Sequence, residues 1–322
     1  MKNIRCRYTK APNDNLCYIL VIVFVMVSLL TIIHPLVDAC SVSVLVSGGV
    51  TWEKVLSYNA IAFAMQFPLG IFFDAYPRLV RGGFGISIIS TLMGVGACAF
   101  EIGGCLSLVF ACVGNAMFHL CAGKSVLDSS GGKGGPVGLF ISTGAIGLFV
   151  GMKLATTYAL WCSVGFGISL AVLGFLAWRK NAFAVSRPVF LSVRNIAGWV
   201  LLGGLFALVV WRSWTGMLAG GMTSSASFLF ASAGAVVTWA GKAVGGYVGD
   251  RYGRWMTIVV SAIGSVALCF AFSPQQMVAW LVLLFVAQLA TGPVLSLMYD
   301  QTGKAGGTSF GLNCLGLFCG GA

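Results

Sequence analysis

Long apolar runs dominate this sequence. A helix that crosses the hydrocarbon core of a bilayer needs about 20 mostly apolar residues, because every backbone amide must be paired within the segment. The sequence contains ten complete runs of this kind, and an eleventh, unfinished run begins near Gly306 and stops at Ala322. The pattern predicts an all-α membrane protein with about 10–11 transmembrane helices. The ten complete runs are 17–40, 55–74, 83–103, 105–122, 134–153, 157–178, 196–218, 226–248, 255–272 and 276–299.

The composition excludes the soluble alternatives. Hydrophobic residues make up 58% of the 322 residues and charged residues only 8%, whereas a soluble domain has about 25% charged residues. A chain of this kind cannot cover its surface with polar groups in water. We therefore expect the lipid bilayer as its solvent, and we exclude intrinsic disorder, a secreted disulfide scaffold and a nucleic-acid partner.

The net charge of +11 is an orientation signal rather than a binding surface. With the N-terminus in the cytoplasm, fifteen of the 19 Lys and Arg residues fall on the cytoplasmic side, and only Lys54 and Lys153 fall outside. Arg212 and Lys242 lie within spans. This asymmetry follows the positive-inside rule, so we expect a multi-pass protein of the cytoplasmic (inner) membrane with a cytoplasmic N-terminus.

A repeated motif relates two parts of the chain. The pattern G-x-x-x-D-x-Y-x-R ends the second and the eighth span, and matched positions are 176 residues apart. Both copies fall on the same side of the membrane, six spans apart, so the two parts are parallel repeats. The matched residues are Gly70, Asp74, Tyr76 and Arg78 in the first copy and Gly246, Asp250, Tyr252 and Arg254 in the second.

This repeat, and its second copy above all, resembles the signature loop of major facilitator superfamily transporters. The resemblance implies two six-helix halves with a site between them near the bilayer midplane. The expected divisions are an N-terminal half at 1–178, a cytoplasmic linker at 179–194 and a C-terminal half at 195–322. Because a full fold of this kind has twelve spans, the second half is expected to be truncated.

The motif aspartates are expected to form a gate. Each carboxylate would face the N-terminus of a helix from the opposite half, because that end of a helix attracts negative charge. The helix would begin near Gly306 for Asp74 and near Gly134 for Asp250. We also expect each carboxylate to pair with an arginine of its own loop; the alternative is a static determinant of topology. The candidate gating residues are Gly70, Asp74, Arg78, Gly246, Asp250, Arg251 and Arg254.

Shorter motifs resemble the fosmidomycin-resistance-type efflux proteins of that superfamily. One departure is that Leu120 and Cys121 follow His119 where those proteins carry a proline and an acidic residue, which removes a carboxylate that could serve proton coupling. The resemblance implies a proton antiporter that confers drug resistance by efflux. The matching segments are the H-x-x-x-D of His34 and Asp38, the G-x-A-x-F-H of 114–119, and the stretches 138–144 and 212–214.

Ionisable groups within spans are candidates for the proton and substrate pathway, because such groups are costly in a bilayer. His34 and Asp38 are four residues apart and share one helix face, where the carboxylate can orient the imidazole for proton exchange. Arg212, at a similar depth, is expected to pair with Asp38 or to bind an anionic substrate. Asn115 and His119 are candidates for polar substrate contacts. The plainer alternatives are packing histidines, an Asp38 at the water boundary and a snorkelling Arg212.

We therefore expect a secondary active transporter that exports a small anionic or amphiphilic compound by alternating access in exchange for protons. An importer of a small metabolite and a truncated, non-transporting membrane protein are the alternatives. No Ser-His-Asp set, dinucleotide fingerprint, metal-ligand cluster or CxxC pair is readable. We accordingly expect a monomer without enzymatic activity, cofactor or metal.

Overall fold

The computed structural model describes residues 12–321 except 48, 103, 181–182, 184–186 and 272–275, and it leaves the side chains of 12–22, 154–163 and 223–226 undescribed. The basic N-terminal residues used for the orientation argument lie outside this range. The described residues form helices and no strand. They are α1 (Pro12–Val46), α2 (Trp52–Asn59), α3 (Gln66–Ala75), α4 (Val80–Ala99), α5 (Gly104–Ser130), α6 (Gly134–Arg179), α7 (Ile196–Ala226), α8 (Phe228–Tyr252), α9 (Arg254–Ala271), α10 (Met277–Gln288), α11 (Thr291–Gln301) and α12 (Gly306–Gly321).

These helices confirm the predicted all-α membrane architecture. Nine segments of the described chain are long and apolar enough to cross a membrane, and Val164–Arg179 forms a shorter apolar helix. The helix α6 takes in both the fifth and the sixth predicted span. Its first part packs against α1 and α8, whereas Gly167 and Gly174 lie against side chains of α4, so the two parts contact different helices.

The helix that carries the fourth predicted span extends past residue 122, because α5 continues to Ser130. Lys124 and Asp128 are one helical turn apart and their side chains are joined by an ion pair of 2.8 Å. Lys124 is only 1% exposed. A charged residue that carries its own counter-ion can therefore stay inside the bundle, and the lysine does not end the helix.

Two spans are interrupted. A π-helical turn at Ala60–Ala64 joins α2 to α3, and the helix breaks between α10 and α11. The second break leaves Gln288 at the end of one helix and Thr291 at the start of the next. Both side chains belong to the polar site described below.

Glycines allow α6 to lie close to α1. A Cβ atom at Gly144 would lie 2.5 Å from Asp38 Oδ2, and one at Gly147 would lie 2.3 Å from the carbonyl oxygen of Pro35. At Gly151 it would lie 2.7 Å from the Cα atom of Ala39. Only small residues allow helix backbones to approach this closely, so these glycines set the position of α6 beside the ionisable residues of α1.

Buried apolar side chains form two main clusters. The largest joins α1, α4, α5 and α6 and also takes in residues of α11 and α12 such as Tyr299 and Phe310, and the second joins α7, α9 and α11. Residues 187–195, which belong to or follow the expected linker, run between them without regular structure. The amide of Val189 donates to the carbonyl of Asp74, and that of Ser192 donates to the carbonyl of Thr302. The connecting segment thus contacts both parts at the end of the bundle that carries Asp74.

Candidate functional site

The carboxylate of Asp74 binds the N-terminus of α12. Its oxygens accept hydrogen bonds from the amides of Gly307 at 2.9 Å and Thr308 at 2.6 Å. Asp74 is only 1% exposed. The first amides of a helix have no partner within the helix and attract negative charge, so the contact expected near Gly306 is confirmed.

The carboxylate of Asp250 makes the equivalent contact with α6. It accepts hydrogen bonds from the amides of Gly134 at 2.9 Å and Gly135 at 2.7 Å, which confirms the second expected contact. Both contacts lie at the same end of the bundle, which we call the aspartate end, and both join one predicted half to the other. In these two places the N-terminus of a helix is held by an aspartate of the opposite half.

The motif glycines make these contacts possible. A Cβ atom on Gly70 would lie 2.2 Å from the carbonyl oxygen of Gly307, and one on Gly246 would lie 2.3 Å from that of Gly134. Each glycine precedes its aspartate by one helical turn, so both face the same partner helix. Backbone cannot give way as a flexible side chain can, and glycine is therefore required at both positions.

The expected pairing of each aspartate with an arginine of its own loop is wrong. Arg254 instead pairs with Asp300 at 2.6 Å, and the guanidinium of Arg251 lies over the ring of Tyr252. Arg78 is exposed and forms no ion pair within the described residues. The reason is local: α3 ends at Ala75, and the short 3₁₀ turn at Pro77–Leu79 carries Arg78 into an exposed position.

The cation beside Asp74 is Lys124 of α5, one of the fifteen basic residues expected on the cytoplasmic side. Its Nζ atom lies 2.7 Å from Asp74 Oδ1 and 2.8 Å from Asp128 Oδ2. The one usable signal in the sequence is the spacing of Lys124 and Asp128, four residues apart on one helix face. We call Asp74, Lys124 and Asp128 the buried ion cluster.

The structure brings together four of the predicted pathway residues between α1 and α5. Asp38 Oδ2 lies 3.2 Å from His34 Nε2, and Asp38 Oδ1 lies 3.4 Å from His119 Nε2. The two Nε2 atoms are 2.7 Å apart, and Asn115 Nδ2 donates to Asp38 Oδ1 at 3.0 Å. None of the four is more than 8% exposed. We call this group the histidine cluster.

Backbone carbonyls orient both imidazoles. His34 Nδ1 lies 2.7 Å from the carbonyl oxygen of Phe140, and His119 Nδ1 lies 2.9 Å from that of Asn115. A carbonyl oxygen only accepts, so each Nδ1 carries the hydrogen, and in a neutral ring the lone pair is then on Nε2. Two facing lone pairs repel each other. A cation between the two Nε2 atoms, such as a proton on one ring, would remove this repulsion at their distance of 2.7 Å.

Arg212 lies in a different polar group on the second part of the chain. Its guanidinium donates to Gln288 Oε1 at 2.9 Å, to Thr291 Oγ1 at 3.0 Å and to Asn313 Oδ1 at 3.4 Å. Within the described residues it forms no ion pair. The pair expected between Arg212 and Asp38 is not formed, because α10, α11 and α12 supply neutral oxygens nearer to the guanidinium.

A cavity of about 800 Å³ opens between α1, α6, α7 and α8. It is lined on one side by residues of α6 such as Phe149 and on the other by residues of α7 and α8. Three cations line it, namely Lys153, Arg212 and Lys242, and no acidic residue does so within the described chain. Lys242 has no hydrogen bond or ion pair with another described residue. Arg212 and Lys242 thus bring positive charge to the cavity without an ion pair to a described carboxylate.

No family model matches the sequence, and no curated protein matches it. Solved structures do match. A major facilitator superfamily transporter, FucP, in the outward conformation has a TM-score of 0.65 and 13% identity over 93% of this chain and 90% of that chain. A structure of the E. coli fucose:proton symporter FucP has a TM-score of 0.65 and 12% identity over 95% of this chain and 89% of that one. The chain therefore has the major facilitator fold.

Proposed function

We propose that this protein is a secondary active transporter that works by alternating access and exports a small anionic compound in exchange for protons. The proposal rests on one observation, namely that a closed end of the bundle and a cavity between the halves occur in the same structure. One end of the bundle is held shut by two aspartate–helix contacts between the halves, while a cavity lies between the halves. The major facilitator fold and the motifs that resemble fosmidomycin-resistance-type efflux proteins support it.

The aspartate end faces the cytoplasm in this proposal. The positive-inside rule supports that orientation, because Arg78, Arg81, Lys133, Arg251 and Arg254 all lie in or next to the loops at this end. The membrane is then the bacterial cytoplasmic membrane, and the N-terminus is cytoplasmic.

Asp74 and Asp250 act as the two latches of the cytoplasmic gate. When the aspartate end opens, the N-termini of α12 and α6 must leave these carboxylates, which then need water or another donor. Gly70 and Gly246 allow the same helix ends to return to contact. The two latches thereby favour the closed state without a covalent link between the halves.

The substrate is an anion that binds Arg212 and Lys242. A cation within the membrane is costly unless it is paired, and neither residue has a carboxylate partner among the described residues. Guanidinium groups bind carboxylate, phosphonate and phosphate groups through two parallel hydrogen bonds. An anion in the cavity would supply the missing negative charge.

The histidine cluster carries the coupling proton. His34 and Asp38 exchange it, and Asn115 and His119 complete the buried hydrogen-bonded group. The cluster does not line the cavity, so Asn115 and His119 act in this proposal on the proton rather than directly on the substrate. The helix α6 lies against both sites, since Gly138 packs on the backbone of Lys242 and Gly144 on the carboxylate of Asp38, and it supplies a link between them.

Proton-driven flux in proteoliposomes tests the proposal. The full chain is reconstituted with a pH gradient, and candidate carboxylates, phosphonates and sulfonates are added while a trapped pH-sensitive dye reports proton movement. We expect one class to move protons in wild type and in Glu53→Gln, whose carboxylate is exposed at the start of α2. Asp38→Asn should abolish the signal while folding is intact. Unchanged flux in Asp38→Asn would remove Asp38 from proton coupling.

Proton symport is the second candidate, because one structural neighbour is a fucose:proton symporter. The direction of substrate movement separates the two. Exchange drives substrate against the proton flow, whereas symport moves both in the same direction, so inside-out vesicles energised by acid inside distinguish them. If no compound of any class moves, the chain is a membrane protein without transport activity and the proposal is wrong.

A further inference from the structure

Three atoms of the kind that transition metals bind converge in the histidine cluster. They are His34 Nε2, His119 Nε2 and a carboxylate oxygen of Asp38, all within 4.8 Å of one another. We propose that these three side chains bind a divalent transition-metal ion of the zinc class. The residues come from two helices and are 85 positions apart at their widest, so no spacing in the sequence points to the site.

The separations suit a zinc ion. Ligand atoms about 2.0–2.2 Å from zinc and at tetrahedral angles lie about 3.4 Å from each other. Asp38 Oδ2 lies 3.2 Å from His34 Nε2, and the other carboxylate oxygen, Oδ1, lies 3.4 Å from His119 Nε2. The two nitrogens are closer, at 2.7 Å, so the imidazoles separate by about 0.7 Å when the ion binds. A metal ion bound by both rings, or a proton shared between them, would remove the repulsion between the two Nε2 lone pairs.

The surrounding bonds are those of a metal site. Histidines that bind metals donate their second ring N–H to a backbone carbonyl or carboxylate, which fixes the tautomer and aims the other nitrogen at the ion. His34 does so through Phe140 and His119 through Asn115. The carboxylate of Asp38 is oriented by a hydrogen bond that it accepts from the side-chain amide of Asn115.

Two further features fit a small ion with a water ligand. Gly144 faces the cluster, and a Cβ atom there would lie 2.5 Å from Asp38 Oδ2 and 2.8 Å from His34 Nε2. Asn115 Oδ1 is buried and has no hydrogen-bond partner among the described residues. Three protein ligands leave a fourth tetrahedral position for water, and such a water can donate to this oxygen.

The chain contains only two histidines, and both are in this cluster. Any imidazole found on a bound metal therefore comes from this site, provided that the affinity tag contains no histidine. Metal bound by any of the eleven cysteines is distinguished from metal in the histidine cluster by spectroscopy, because thiolates on Co²⁺ give charge-transfer bands that nitrogen and oxygen ligands do not.

The experiment uses the purified full chain in detergent with a histidine-free tag, at fixed pH and without substrate. Zn²⁺ is titrated by calorimetry, Co²⁺ is followed by its visible absorption, and the zinc X-ray absorption edge counts the imidazoles. We expect one ion per chain, the spectrum of four-coordinate Co²⁺ without thiolate bands, and two imidazoles on zinc. Zinc bound through sulfur, or no zinc bound, overturns the proposal on the wild-type chain alone.

Variants then assign the ligands. Asp38→Asn and His119→Gln should each weaken binding at least about 100-fold. Gly144→Ala should weaken it as strongly without removing a ligand, whereas Glu53→Gln should bind as wild type does. Zinc affinity that is unchanged in the folded Asp38→Asn and His119→Gln variants contradicts the assignment. Because binding is measured without a gradient or substrate, its failure leaves the proposed transport untouched, and loss of transport leaves the metal site standing.

Discussion

Asp74 and Asp250 occupy equivalent positions in two copies of one motif, yet their surroundings differ. Each accepts two hydrogen bonds from the N-terminus of a helix of the opposite half. Asp74 is 1% exposed and pairs with Lys124, whereas Asp250 is exposed and has no ion pair within the described chain. The same local motif therefore forms a buried latch with a paired cation at Asp74 and a solvent-exposed latch without an ion pair at Asp250.

The difference shows that burial, rather than the motif, decides how strongly a latch depends on its partners. A buried carboxylate needs a cation, and removing one partner of a buried pair costs about 3–5 kcal/mol because the other charge is left uncompensated. An exposed carboxylate at a helix N-terminus is solvated by water in either state, and its contact contributes about 0.5–2 kcal/mol. We infer that the Asp74 contact contributes most of the stability of the closed aspartate end and that the Asp250 contact contributes a smaller part.

Lys124→Met should lower the free energy of unfolding the most, because it removes the buried cation that pairs with Asp74 and has no counterpart at Asp250 within the described chain. Asp74 and Asp128 would then face each other in a buried site without a cation, and we expect a loss of about 4 kcal/mol in the free energy of unfolding. The thermal unfolding midpoint of the purified chain in detergent measures it. Lys54→Met, at a half-buried lysine that donates to the carbonyl of Gly49 and forms no ion pair with a described residue, is the matched control and should leave the midpoint nearly unchanged.

Asp74→Asn and Asp250→Asn compare the latches directly. We expect a loss of about 3 kcal/mol for the first and about 1 kcal/mol for the second, measured as shifts of the same midpoint. Combining Asp74→Asn with Lys124→Met should cost less than the sum of the single changes, because each removes the partner of the other. Equal shifts for the two asparagine variants would show that burial does not govern the latches.

The aspartate–helix contacts could be predicted because they depend on features that sequence carries well. A repeat 176 residues apart fixes equivalent positions, and the spans place a helix start opposite each aspartate. Lys124 could not be predicted in the same way. Its role depends on how far α5 extends and on which cation is nearest after folding, and the loop arginines were closer in sequence to both aspartates.

The histidine cluster shows the same limit at the candidate site. The helical spacing of His34 with Asp38 and of Asn115 with His119 predicts each pair, but not that the pairs meet. Their meeting depends on the crossing of α1 and α5 and on the close approach of α6 at Gly144. The expected Asp38–Arg212 pair was wrong for a related reason, since similar depth in the membrane does not bring together two side chains from opposite halves.

Gly70→Ala and Gly246→Ala should affect the two latches equally, in contrast to the aspartates. In both, the added methyl group meets the backbone of the opposite helix, and overpacking of this kind costs about 2 kcal/mol. The cost applies only to the closed state, so the aspartate end should open. Spin labels at Leu79 and Tyr252, both exposed near this end, should move apart in a background without native cysteines.

Gly82→Ala is the control for the glycine variants, because a Cβ atom there would meet nothing within 4 Å. It should leave the distance between the labels unchanged. A widening in only one of the two motif variants would mean that the latches open separately rather than together.

Arg254→Gln should have the smallest effect, and it tests the pairing that the sequence suggested. Arg254 binds Asp300 at 2.6 Å, but the two side chains are 28% and 42% exposed, and exposed ion pairs contribute about 0–1 kcal/mol. We expect the unfolding midpoint to shift less than it does for Asp250→Asn, and the shift to fade as salt is added. Arg254 would act through Asp250, as a signature-loop arginine would, if two results were found together. Arg254→Gln alone would shift the midpoint as much as Asp250→Asn does, and it would add no further shift in the Asp250→Asn background. Additive shifts would instead place Arg254 outside the second latch, where its contact with Asp300 puts it.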